Sequence, residues 1–181
     1  HYYNANGKFT AEISSGPIHY KDDKGQWQDI DNRLVASEVA GFRFRNAANE
    51  FRTHFAAGSS GAPVVKVQSS QWSIGLSPID AAPVAGASTG PVMLYKGALA
   101  GGTADLRYTV KNEGLKQDII LNSYKTNVFR FRLDTGGLRP DLAQNGSLVL
   151  YNSSNVEVAR AQRPYAMDAS NKFTHEAAFS L

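Results

Sequence analysis

Apolar and polar residues alternate along most of this chain with a period of two, and the 3.6-residue spacing of a helix face is nearly absent. The alternation predicts strands at 9–13, 18–21, 26–30, 41–45, 50–55, 64–67, 71–76, 92–95, 104–111, 114–121, 127–133, 147–151, 156–162 and near 173–179. The segment 16–32 carries the sharpest signal. Ile18 and Tyr20 precede a turn of Asp22, Asp23, Lys24 and Gly25, and Trp27 and Ile30 follow it. Asp and Gly between alternating apolar residues predict a hairpin, because the turn needs residues that tolerate positive φ. Further hairpin turns are expected at 111–114 and 151–155. Many short strands with turn residues between them predict an all-β, antiparallel β-sandwich-like fold with long loops, or two packed sheet units.

Two segments break the rhythm. Residues 78–91 are rich in Ala, Pro, Gly and Ser, and read as a long loop or internal hinge within one module spanning 1–181. Residues 97–103 read as a glycine-rich turn. The tetrapeptide Phe-Arg-Phe-Arg occurs at 42–45 and again at 129–132. Strand alternation would put Phe42 and Phe44 on one face and Arg43 and Arg45 on the other, with the second copy alike.

Composition narrows the class. The apolar share of 42% supports a core, and cysteine is absent, so no disulfide framework, thiolate metal site or cysteine nucleophile exists. The net charge of +3 is spread along the chain, which gives no footprint for nucleic acid. No stretch approaches the roughly 20 apolar residues of a membrane helix, so no membrane insertion is expected. The chain opens at His1 without Met and ends in an apolar-alternating stretch, and is expected to belong to a longer polypeptide.

Candidate chemistry lies in binding rather than catalysis. His1, His19, His54 and His175 show no ligand spacing, and no HExxH, G-x-S-x-G or phosphate-loop motif is present. Asp22, Asp23, Asp29 and Asp31 gather oxygens around one hairpin, the donor type calcium takes, but without the spacing of an EF-hand loop. Solvated turn carboxylates explain the same cluster. Lys66, Lys116 and Lys125 are candidate donors for a Lys–Asn or Lys–Asp crosslink, or simply solvated lysines. Trp27 and Trp72, with Tyr20, Tyr95, Tyr108 and Tyr151, offer flat faces for sugar rings, although aromatics in alternating register usually pack in a core. Arg43, Arg45, Arg52, Arg130 and Arg132 could face an anionic polymer, or pair with neighbouring acids, Glu50 lying in the same register as Arg52.

An ordered series of motifs resembles a known family. Residues 17–32 (PIHYKDDKGQWQDIDN) resemble the opening motif of large secreted bacterial proteins of the wall-associated protein A and RHS/YD-repeat type. Residues 49–55 (NEFRTHF), 106–121 (LRYTVKNEGLKQDIIL), 129–133 (FRFRL), 145–147 (NGS) and 163–169 (RPYAMDA) resemble later motifs in the same order. The resemblance implies an N-terminal, β-rich, non-catalytic module on an extracellular or cell-surface protein, partnered by further domains or subunits. No catalytic residue is carried over, no cofactor beyond the candidate calcium is expected, and no YD repeat is present. The expected role is attachment or display, with polysaccharide as the ligand. The alternatives are a subunit of a surface assembly paired through strand edges, and a hydrolase, which would need paired carboxylates or a Ser–His contact.

Overall fold

The structure, a computed structural model, describes residues 2–3, 9–10, 16–60 and 63–181. Of the strand expected at 9–13, Phe9–Thr10 pairs with Tyr2–Tyr3, and 11–13 lie outside the described residues, as does His1.

The fold is all-β, and every strand pairing is antiparallel. A six-stranded sheet has the order Phe131–Asp134, Ser73–Pro78, Val65–Gln68, Arg52–Phe55, Phe44–Ala48, Asp31–Ala36. A four-stranded sheet runs Gly86–Thr89, Val92–Leu99, Ala104–Lys111, Gly114–Leu121. The alternation decides what each sheet buries. Phe55, Val65 and Leu76 come from the first sheet, and Met93, Tyr95, Leu106, Tyr108 and Val110 from the second, into one cluster. The Phe55 and Tyr108 rings lie 5.8 Å apart across it, and the Tyr95 hydroxyl donates to the Ala56 carbonyl at 2.7 Å. Two sheets thus face each other over a shared core, as the period-two pattern predicts. Smaller sheets follow: Arg139–Leu142, Leu148–Tyr151 and Glu157–Ala161 form a meander, while His19–Lys21 with Trp27–Asp29, and Ala166–Met167 with Phe173–Thr174, form hairpins.

The structure differs from the sequence reading at the quiet strands. Within 78–91, Gly86–Thr89 is the edge strand of the four-stranded sheet rather than loop or hinge. The rest of that segment is bonded to the connection after Arg52–Phe55 and to the four-stranded sheet: Ser59 N–H donates to the Val84 carbonyl at 2.9 Å, and Ala82 N–H to the Ala98 carbonyl at 2.9 Å. Gly86 is required there, because a Cβ would come 2.6 Å from Tyr95 Cε1. Arg139–Leu142 escapes the pattern because Pro140 argues against a strand, yet a proline is tolerated on this edge position, where the missing N–H disturbs no interior ladder. Asp31–Ala36, where no strand is expected and only Asp31 is read as part of the carboxylate cluster, is also an edge strand, and a register shift lies between Asp31 and Leu34. At the far end only Phe173–Thr174 of the expected 173–179 is strand.

Candidate functional site

The hairpin at 19–29 builds the best-defined exposed site. Its turn is set by Asp22, whose Oδ1 accepts the N–H groups of Lys24 and Gln26 at 2.9 Å each, while Oδ2 accepts the Gln28 amide at 3.0 Å. The Gln26 N–H, helped by the other two donors, holds the Asp22 carboxyl below the usual carboxylate value. Gly25 closes the turn with φ +73°. The register then places Lys21 opposite Trp27 and His19 opposite Asp29, so these four side chains share one face.

That face is open. Trp27 is 68% exposed, Lys21 Nζ lies 5.2 Å from its ring centroid, and His19 Nε2 lies 3.0 Å from Asp29 Oδ1. A shallow hollow of about 260 Å³ is lined by His19 and Trp27. Tyr20, on the opposite face, is half-buried. An indole plate flanked by an ammonium, an imidazole and a carboxylate can stack on a sugar ring while polar groups reach its hydroxyls.

The other sequence-predicted residues scatter. Trp72 is half-buried in the turn between Val65–Gln68 and Ser73–Pro78, where its carbonyl accepts Ser69 N–H at 2.9 Å. Tyr95 and Tyr108 are core residues, fully buried, and burial pushes both phenols far up, so neither is a sugar platform. Tyr151 is half-buried beneath the Arg139 guanidinium, 4.8 Å from its ring centroid. Arg45 is committed: it binds Glu38 at 3.0 and 3.2 Å and the carbonyls of Asn46 and Ala47 at 3.0 and 3.1 Å. Arg43 is exposed over the Phe44 ring, and Arg52 donates to the Asn49 carbonyl rather than to Glu50. Arg132 is exposed on the strand side opposite Phe131, Arg130 is exposed just ahead of the strand Phe131–Asp134, and Phe129 and Phe131 pack toward the core. The first copy of the tetrapeptide departs from its expected alternation. Phe44 packs on the core, whereas the Phe42 ring sits 5.6 Å from the His54 imidazole, outside the strand.

The four acids do not converge. Asp22 caps its turn, Asp29 faces His19, Asp31 pairs with Arg33 at 2.6 Å, and Asp23 is exposed. Among the described residues no group of three His, Cys, Asp or Glu side chains is arranged to hold a metal ion. Of the lysines considered for a crosslink, Lys116 is ion-paired with Asp118 at 2.8 Å, and Lys66 stands opposite His54 in the sheet.

A Ser–His contact does occur. Ser37 Oγ lies 3.0 Å from His54 Nδ1, but the imidazole is only 2% exposed and its Nε2 has no hydrogen-bond partner among the described residues. Ser37 Oγ also accepts Val39 N–H at 3.2 Å. Among the described residues no carboxylate is hydrogen-bonded to the ring, so the geometry lacks the third member that a nucleophile–base pair needs. His54 instead lies between Arg45 and Lys66 in strand register. Burial, followed by Lys66, Arg45 and Arg52, lowers its pKa from 6.5, against a smaller opposing effect of Glu38. A folded value below the unfolded one means that the unfolded chain binds the proton more readily. The neutral ring's contribution is therefore intact above about pH 6.5 and is lost as pH falls, by up to about 1.4 kcal/mol per unit. Urea unfolding between pH 8 and 5 is expected to show this loss in the parent and a flatter profile in His54→Gln. Equal slopes in the two proteins would remove His54 as the cause.

The aromatic plate is legible in the sequence, whereas the grouping of its polar neighbours follows only from the hairpin register. Counting outward from the Asp22–Gly25 turn would have paired 21 with 27 and 19 with 29.

No family model matches the chain, and no solved structure matches it. A curated protein named "Wall-associated protein", from Geobacillus stearothermophilus, is 26% identical over 183 aligned positions, covering 93% of this chain and 70% of that protein. The match bears on the wall-associated part of the motif resemblance and not on its RHS/YD-repeat part. This chain is thus an all-β protein with sequence similarity, along nearly its whole length, to a wall-associated protein.

Proposed function

We propose that the chain is a non-catalytic module of a cell-wall-associated surface protein, and that it attaches to wall polysaccharide through the 19–29 hairpin. The observation that carries the reading is Trp27, an indole left 68% exposed on a rigid turn with Lys21, His19 and Asp29 around it. Exposing so large an apolar ring forgoes roughly 2–3 kcal/mol of burial, a cost that contact with a ligand offsets. The name of the similar protein supports the location. The dispersal of the four hairpin acids and the buried Ser37–His54 contact, to which no carboxylate is hydrogen-bonded among the described residues, favour binding over hydrolysis. Further domains of the same polypeptide are the natural partners.

Co-sedimentation with purified bacterial cell walls tests the reading. The parent protein is expected in the pellet, and Trp27→Ala, which removes an exposed ring and keeps the fold, in the supernatant. A folded Trp27→Ala that pellets as well as the parent would refute the hairpin as the contact.

The second reading, assembly through strand edges, draws support from Gly114–Leu121. Among the described residues this eight-residue strand is paired only with Ala104–Lys111, which leaves one side as a template. A monomer at high concentration in analytical ultracentrifugation would count against it.

A further inference from the structure

The turn of the 19–29 hairpin recurs at Asn152, where Glu157 takes the place of the aromatic, whereas the 19–29 and 165–175 hairpins share both the turn and the aromatic position. In both, an Asp opens the turn and accepts, through Oδ1, the N–H groups two and four residues on: Lys24 and Gln26 for Asp22, Ser170 and Lys172 for Asp168. In both, the Asp N–H and C=O close the same two backbone bonds, and the residue three further on has positive φ, +73° at Gly25 and +61° at Asn171. The registers coincide: Tyr20 opposite Gln28 and Lys21 opposite Trp27 in one, Ala166 opposite Thr174 and Met167 opposite Phe173 in the other. Phe173 therefore stands where Trp27 stands. The spacing Asp-x-x-(Gly/Asn)-x-aromatic is the only trace of this repeat in the sequence.

The face of the 165–175 hairpin is also open. Met167 is 60% exposed and Phe173 67%. Tyr165, 51% exposed, and His175 extend the same face, with the His175 ring 5.6 Å from Phe173 and 6.4 Å from Tyr165 in edge-on geometry. The backbone beneath is held by Arg163, whose guanidinium donates to the His175 carbonyl at 2.5 Å. With aromatic side chains of roughly 150–250 Å² each, these exposures leave an apolar patch on the order of 350 Å². A stable protein interface needs about 800 Å² from each partner. The patch is too small for a folded partner or a second copy, and matches one or two sugar rings.

We propose that the hairpin at 165–175 is a second carbohydrate-contact element, in which Phe173 and Tyr165 stack on pyranose rings and the His175 imidazole and Tyr165 hydroxyl reach their hydroxyls. The inference rests on the wall-polysaccharide reading and adds a second subsite to it. One extended glycan, or two, would then be gripped at both ends of the described chain, and two weak contacts on one polymer multiply through effective concentration.

The test titrates the whole protein with soluble glycan strands released from peptidoglycan, using Phe173→Ala, Phe173→Tyr and Trp27→Ala beside the parent, each checked for folding by circular dichroism. Phe173→Ala is expected to weaken binding by about 3- to 10-fold, the size of one aromatic contact, and Phe173→Tyr to restore it. In the parent, the Met167 methyl resonance should shift on titration, a readout that does not depend on any variant's folding. Weakening by Trp27→Ala alone, with Phe173→Ala and the Met167 methyl unaffected, overturns the second element and leaves the first reading standing. Absence of binding by the parent overturns both. A parent dimer that Phe173→Ala dissolves overturns the inference, because the face would then be a contact between copies.

Discussion

Phe55→Ala is expected to lower stability by about 3–5 kcal/mol, enough to bring a domain of ordinary stability close to unfolding. Phe55 has no exposed surface and sits where the two sheets meet, in ring contact with Tyr108 and in register between Phe44 and Val65. Its loss removes the transfer energy of the ring and leaves a cavity. The walls of that cavity cannot close easily, because Tyr95 is pinned to the Ala56 carbonyl and Gly86 lies against the Tyr95 ring. Phe55→Leu should cost less than half as much, since most of the volume is kept. Urea unfolding monitored by circular dichroism reads both. A loss under about 1 kcal/mol for Phe55→Ala would mean that the sheets are not joined by this cluster.

Asn49→Ala should have the next largest effect, roughly 2–3 kcal/mol. Asn49 is 3% exposed, and its Nδ2 donates to Asn32 Oδ1 at 2.9 Å and to the Asn112 carbonyl at 3.2 Å, while its Oδ1 accepts Glu50 N–H at 2.7 Å. Asn32 in turn donates to Asn112 Oδ1 at 2.7 Å, and Asn112 to the Pro17 carbonyl at 2.8 Å. Three asparagines thus link an edge of the six-stranded sheet, the turn of the four-stranded sheet and the root of the Trp27 hairpin. Removing the central one breaks all of these hydrogen bonds at once, each worth about 0.5–1.5 kcal/mol net, and leaves a void at a buried position. Asn49→Asp should be worse than Asn49→Ala, because a carboxylate would replace an amide donor facing the Asn32 and Asn112 oxygens. The same denaturant series checks the order. An Asn49→Ala protein as stable as the parent would show that water replaces the network freely. If the network also holds the hairpin in place, Asn49→Ala should weaken wall binding although it touches no ligand.

Where hydrophobic alternation was strong, the fold could be read directly. The strands at 104–111 and 114–121 match residue for residue, because the first alternates without a break and a polar turn ending in Gly114 leads from it into the second, which closes on the apolar run Ile119–Leu121. Gly86–Thr89 was invisible because its four residues carry no large apolar group, and its place is fixed by what lies beneath Gly86. Pattern also cannot say which face of a strand meets another sheet. Tyr95, Tyr108 and Trp27 all sit in alternating register, yet the first two are sealed between two sheets and the third stands on a hairpin that nothing covers among the described residues. The arginines show the same limit: Arg45 and Arg132 occupy matching places in their tetrapeptides, and only a nearby loop acid, Glu38, makes one a structural ion pair. The repeated turn at Asp22 and Asp168 was hidden because it depends on side-chain capping, which tolerates Gly or Asn at the positive-φ position and so leaves little identity to see.

The proposed account turns on Trp27 as the residue that meets the glycan, and the chain's two tryptophans make this directly observable. In a proton–nitrogen correlation spectrum each indole N–H gives one peak, and Trp27→Ala assigns them. Titration with soluble peptidoglycan glycan strands should move the Trp27 indole peak and leave that of half-buried Trp72 in place. A saturating titration in which the Trp27 peak does not move, or in which only Trp72 responds, would contradict it.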